Sequence, residues 1–362
     1  MITALALLGY AACAAWWVPA LLSPLTRRGV SVRAGLAAWL AAMASVLVSA
    51  AVAMEMSFRT VAADWPQLTQ DLCRSVAGSA CTPEVYGSVL YQAGVTVLAA
   101  SLALAGAVAA WRYGRRVQRS RAQTRSHARA ALLVGHAIAV QAAGVPGPVP
   151  AVGAQVPAAN GPAPRSAEPA GTVGGAGRAR TVMLDDPRPA AYCVAGRPAA
   201  IVVTSGALAV LDPPQLSAVL AHESAHLAHG HHALATVTRG LAAAFPGIPL
   251  FTRGAAEVAR LTEMAADDTA ARASGRPALV TALIAIATGA AVSSTAVSST
   301  GILGAAVPAG AMAAAARAVP DRVERLLRPP SHARSAAFTA ALTAALTLLA
   351  AAPPALTFLA TR

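Results

Sequence analysis

The sequence predicts an integral membrane protein, mainly α, with four transmembrane helices and a compact α+β domain inserted between the third and fourth. Three observations carry that reading. Of the 362 residues, 56% are hydrophobic and only 12% are charged, about half the charged share of an ordinary soluble domain. Four apolar stretches reach the ~20 residues needed to cross a bilayer. The basic residues are all arginine, and they gather at the ends of those stretches, where topology signals lie. This hydrophobicity excludes a disordered chain. Four cysteines are too few for a disulfide scaffold.

The stretches are 2–22, 34–54, 85–111 and 335–361. The first lacks a basic start and is too long for a signal core, so it reads as a retained helix. Arginine placement sets the orientation. Arg27, Arg28 and Arg33 lie between the first two stretches. Arg112, Arg115, Arg116, Arg119, Arg121, Arg125 and Arg129 follow the third, and Arg322, Arg325, Arg328 and Arg334 precede the fourth. The loop 55–84 carries Glu55, Asp64, Asp71 and Glu84 against Arg59 and Arg74. The expected placement is therefore multi-pass in the cell membrane. The N-terminus and loop 55–84 are extracellular and 112–334 is cytosolic. The arginine run lacks the aromatic interleaving of a nucleic-acid site, so the bilayer is the expected partner and direct nucleic-acid binding is not expected.

Five regions follow. Residues 1–111 hold three transmembrane helices and the extracellular loop 55–84. Residues 112–141 form an Arg-rich cytosolic connector, expected to be helical. Residues 142–177 are a Pro/Gly/Ala-rich flexible linker with nothing to build a core. Residues 178–334 form the inserted domain, and 335–362 the fourth transmembrane helix. Cys73 and Cys81 share the outside loop, where oxidising conditions permit a disulfide; two free thiols are the alternative. Cys13 and Cys193 read as small packing residues.

Within the domain, 181–184, 191–194 and 201–204 read as strands. The last is the clearest, because β-branched residues suit a pleated surface, and it reads as a sheet edge open to an extended substrate. Asp212 looks like an N-cap, Pro213 occupies the first helical position and Gln215 completes a capping box. The helix that follows runs over 216–237. A second helix is expected over about 255–273, with Gly275 and Pro277 as stops. Residues 277–316 are uncharged, but a fifth crossing would place the last arginine cluster outside. A core helix over 278–292 is expected instead, with the rest near the membrane; a re-entrant hairpin is the alternative.

The chemistry centres on His222-Glu223-Ser224-Ala225-His226. Residues four apart share a helix face, so two imidazoles one turn apart can bind one Zn²⁺. Glu223 beside them is placed to take a proton from water. A catalytic zinc takes a third protein ligand. Glu263 is the favoured choice, with Asp267 one turn on to hydrogen-bond a zinc-bound histidine. His232 is the other choice, but that spacing needs Gly at 229, where this chain has His. His231 and Arg322 are candidate contacts to the transition state or substrate. His229 reads as a polar residue near the cleft.

The runs IVVTSGAL (201–208), AVLAHESAHL (218–227) and EMAAD (263–267), flanked by membrane helices, resemble the BlaR/MecR-type membrane metallopeptidases. These are transmembrane signal transducers of β-lactam resistance. The resemblance covers the four-helix topology and residues 178–329. The segment Arg322-Val323-Glu324-Arg325-Leu326-Leu327 is similar to that family's end-of-domain segment. The resemblance implies a cytosolic zinc protease domain of gluzincin type. It implies zinc on His222, His226 and Glu263, and catalysis by Glu223. The HtpX-type and CAAX prenyl proteases share the same two motifs. The β-lactam sensors carry a large extracellular penicillin-binding domain after the last helix. Here the sequence ends at Arg362 and has no Ser-x-x-Lys motif, so antibiotic sensing is not expected.

The function that follows is zinc-dependent endopeptidase action on protein or peptide substrates at the cytosolic membrane face. Signal transduction, by cleavage of a helix-turn-helix repressor or of the chain itself, is the favoured use. The alternatives are HtpX-like quality control of membrane proteins and a non-catalytic four-helix scaffold with a regulatory metal.

Overall fold

A computed structural model describes residues 2–27, 31–77, 104–122, 136–137, 179–195, 199–296, 319–329 and 332–360, together with residues 94, 97, 101 and 126. Cys81, the linker 142–177 and residues 297–318 lie outside them. So does the expected Cys73–Cys81 disulfide.

Helices α1 (Ile2–Arg27) and α2 (Val32–Ala77) form an antiparallel pair. Tyr10 and Ser45 share a 2.7 Å hydrogen bond across it. Among the described residues, Ile2–Thr26 and Val32–Thr60 are long and apolar enough to cross a membrane. The third expected span is represented by α3, helical over 104–122 and running on through the arginines past Trp111. The fourth is represented by α10 (His332–Ala360), which packs on both α1 and α2 and buries Leu342. Its described apolar part, Ser335–Ala345, is shorter than a span.

The loop expected from residue 55 gives way to helix as far as Ala77. No glycine falls between Gly35 and Gly78, and Arg59 pairs with Glu55 one turn back at 2.7 Å. At 1.5 Å per residue this 46-residue helix spans about 69 Å. A bilayer core is only about 30 Å thick, so α2 continues beyond any membrane it crosses.

Four strands form one sheet: β1 (His136–Ala137), β2 (Arg180–Leu184), β3 (Ala191–Val194) and β4 (Ala200–Thr204), in the order β1-β2-β4-β3. β4 runs parallel to β2, with Arg180 opposite Ala200, and antiparallel to β3, with Ala191 opposite Val203. Every residue of β4 is buried. It is therefore central and not the edge that the sequence suggested; the edge beside it is β3. An unbroken apolar run such as AIVVT marks a strand covered on both faces.

Helix α4 (Ser205–Val210) follows β4 without a loop. A Cβ on Gly206 would sit 2.2 Å from the carbonyl oxygen of Pro187, so only glycine permits this approach. Helix α5 (Pro213–Ala228) begins with the full capping box: Asp212 accepts from the Gln215 N–H at 2.8 Å, and Gln215 accepts from the Asp212 N–H at 3.1 Å. The long helix expected over 216–237 is broken. Gly230 takes a left-handed φ of +64°, and α6 (His231–Ala244) starts anew. Glycine adopts that conformation without the Cβ clash other residues meet.

Helix α7 (Pro249–Ser274) starts six residues earlier than expected and has two tasks. Its first half, through Leu250, Phe251, Val258 and Leu261, buries itself against Ala14, Trp39 and Met43 of α1 and α2. Its second half crosses α5. Helix α8 (Arg276–Ala296) and α9, helical over 319–327, close the domain. Ala218, Ala270, Leu279 and Leu326 meet in one cluster, joining α5, α7, α8 and α9.

Candidate metal centre

Helix α5 turns Ala218, Val219, His222, Ala225 and His226 into the interior. This is the i, i+3, i+4 pattern of one helical face. Helix α7 brings Glu263 across from the other side. His222 Nε2 and His226 Nε2 lie 3.1 Å apart. Glu263 Oε2 is 3.5 Å from the first and Oε1 is 3.6 Å from the second. Ligand atoms on a tetrahedral ion with bonds of about 2.0–2.1 Å are about 3.4 Å apart. The three separations therefore fit a single Zn²⁺. The donor set, two imidazoles and one carboxylate, is one that zinc takes in catalytic sites.

The surroundings polarise these groups differently. Burial holds His226 neutral, its pKa down at about 3. Burial also works against charge on His222, but Asp267 and Glu263 outweigh it and raise its pKa to about 9. Burial would raise Glu263, yet His222 and Arg322 bring it down to about 2. Glu263 keeps its side chain 40% exposed while Asp267 is 1% exposed, so the cluster opens on the Glu263 side.

Asp267 lies one turn beyond Glu263, with Oδ1 at 3.1 Å from His222 Nδ1, off the axis of a straight N–H···O bond. Arg322, on α9, donates to both oxygens of Asp267, with Nε at 2.8 Å from Oδ2. It also reaches Glu263 Oε2 at 3.4 Å and His222 Nε2 at 3.4 Å. Burial opposes charge on Asp267, but the guanidinium and His222 hold its pKa below the usual carboxylate range.

Glu223, on the same helix, lies near Cys193 of β3 and close enough to His222 and Glu263 for their charges to act on it. Burial raises the Glu223 carboxyl above its ordinary range and also raises the thiol, which keeps its proton. Cys193 Sγ is 3.2 Å from His232 Nε2. His232, the alternative third ligand, is thus engaged with Cys193 and is not part of the cluster. His231 is buried with Nδ1 at 3.0 Å from His226 Nδ1. His229 caps α5, its ring nitrogen 2.9 Å from the Ala225 carbonyl. Cys193 is buried in the cluster with Ile201, Val219 and Ala282, in the packing role the sequence suggested.

Residues 172–330 match the model of Peptidase family M48. That family consists of zinc metalloproteases, and the match spans less than half of this chain. A 67-residue stretch is 40% identical to the Protease HtpX homolog of Acidiphilium cryptum (strain JF-5). That stretch covers 18% of this chain and 23% of that protein's length. No solved structure matches. Residues 172–330 are thus similar to a metalloprotease domain, and two helices near the N-terminus are long and apolar enough to cross a membrane. The matches do not extend to the BlaR/MecR type.

Proposed function

We propose that this chain is a zinc-dependent endopeptidase that cuts protein substrates at the cytosolic face of the cell membrane. The observation that carries the reading is the tetrahedral spacing of His222, His226 and Glu263, with Glu223 beside them on α5. Four spans, with the domain between the third and fourth, keep every arginine cluster on the cytosolic side. Zinc held by the three ligands supplies Lewis acidity, polarising a carbonyl and acidifying water.

The chain's own groups do the rest. Glu223 takes a proton from the attacking water and returns it to the leaving amine. Its raised pKa moves the carboxyl toward the working pH. Arg322 holds a fixed positive charge at the site, 3.4 Å from Glu263, where negative charge develops in acyl transfer. The edge strand β3 offers its main chain to an extended substrate. Main-chain pairing reads little side-chain identity, so sequence tolerance is broad.

Two uses share this chemistry. In one, the protease relays a signal by cutting a helix-turn-helix repressor or itself. In the other, it clears damaged membrane proteins, as an HtpX-like quality-control protease would. Glu223→Gln expressed in native membranes tests both. Its expected behaviour is to retain zinc, lose self-processing and accumulate bound substrates, whose identity separates the two uses. Identical membrane proteomes and identical self-processing in wild type and variant would leave only a scaffold with a regulatory metal.

A further inference from the structure

We propose that His231 is a positioning residue for the metal ligand His226, held against the ring nitrogen that faces away from the cluster. The inference rests on the zinc reading above. His226 turns Nε2 toward His222 Nε2 at 3.1 Å and Glu263 Oε1 at 3.6 Å. That leaves Nδ1 on the far side of the ring, 3.0 Å from His231 Nδ1. The rings meet edge to face, 4.8 Å between centroids and 86° between planes. Both residues are buried, at 8% and 6% exposure, so bulk water is not a ready substitute partner.

The contact fixes protons. A neutral imidazole that coordinates through Nε2 carries its hydrogen on Nδ1. In this geometry that hydrogen is donated to His231 Nδ1, which must then be bare, with its own hydrogen on Nε2. One hydrogen bond therefore sets two tautomers and the tilt of the His226 ring. Ligand histidines whose other nitrogen is held this way lose about 10–100-fold in metal affinity when the partner is removed.

The fold puts His231 there by a specific device. Left-handed Gly230 ends α5 and makes His231 the first residue of α6. In the uninterrupted helix expected from the sequence, a residue five positions after His226 would lie on another face. His229 stacks on the His231 ring, 5.6 Å away and 20° from parallel. Helix α6 is in turn braced by α3, because the Tyr113 ring sits where a Cβ on Gly240 would go.

The test uses the full-length chain in detergent and reads zinc affinity by competition with a chromophoric chelator. His231→Ala is expected to bind zinc about 10–100-fold more weakly. His231→Asn keeps an acceptor oxygen in place of Nδ1 and is expected to stay within about threefold of wild type. His229→Ala removes a stacked ring and a bond to the Ala225 carbonyl but no partner of a His226 nitrogen, and is expected to stay within about twofold. The d–d spectrum of the cobalt-substituted protein should keep its intensity in His231→Ala, because no ligand is lost. Wild-type affinity in His231→Ala, or a cobalt spectrum reporting a lost ligand, overturns the proposal. If His231→Ala does not fold, a loss beyond about tenfold in His231→Asn overturns it equally. Wild-type protein that binds no zinc overturns the functional reading instead, so the two failures are distinct.

Discussion

Arg322 closes a two-pronged ion pair on Asp267 in the interior of the domain, and the same carboxylate faces Nδ1 of His222 at 3.1 Å. A second pair lies beside it: Arg325 donates to both oxygens of Asp268 at 2.7 and 2.8 Å. The two look alike and differ in burial. The Asp267 and Arg322 side chains are 1% and 7% exposed, those of Asp268 and Arg325 34% and 21%.

Removing one partner of a buried pair strands a charge, at about 3–5 kcal/mol. A solvent-screened pair contributes about 1 kcal/mol or less. Asp267→Ala should therefore destabilise the protein by several times as much as Asp268→Ala. Denaturant unfolding of the two variants in detergent checks this. Equal losses would mean that the Asp267 pair is as screened as its neighbour.

Glu223→Gln removes the proton carrier and none of the three ligands. Turnover of a peptide substrate should fall about 10²–10⁴-fold, with zinc content and melting temperature close to wild type. Stopped cleavage with lost zinc would point to a role in holding the ion instead.

Chelation should loosen the domain, since His222 and His226 lie on α5 and Glu263 on α7. A ligand bound only by the folded state at 1,000 times its Kd contributes about 4 kcal/mol. The melting temperature should fall on treatment with a strong chelator and return with added zinc. The same treatment of Glu263→Ala should produce a smaller change.

Two glycines separate backbone necessity from mere tightness. At Gly206 an added Cβ meets the Pro187 carbonyl oxygen at 2.2 Å, whereas at Gly254 it meets the end of the Met43 side chain at the same 2.2 Å. A methionine terminus can swing aside; a carbonyl held between strands cannot. Gly206→Ala is expected to cost about 1–3 kcal/mol or more, and Gly254→Ala clearly less. Thermal unfolding ranks them, and the reverse order would contradict the close packing of α4 on the 185–188 turn.

Local signals made much of this legible in the sequence. Asp212, Pro213 and Gln215 mark the start of α5 within four residues, and His222 and His226 declare their shared face by spacing alone. Ile201 to Thr204 reads as a strand because its residues are β-branched. What the sequence hid is set by distant contacts. Arg322 and Asp267 are 55 positions apart, and no periodicity links them. Whether β4 is central or an edge depends on β2, twenty residues earlier. Gly230 is one residue of punctuation in a strongly helical run, where an isolated glycine is often tolerated. The helix through 55–77 was hidden by its charges, which read as a loop; two of them, Glu55 and Arg59, pair one helical turn apart.

The most direct measurement is the zinc content of the purified full-length chain by elemental analysis, beside His222→Ala and Glu263→Ala. One zinc per wild-type chain, strongly reduced in both variants, is the expected result. Wild-type protein free of zinc, or variants that hold as much as wild type, would contradict the metal centre on which the function rests.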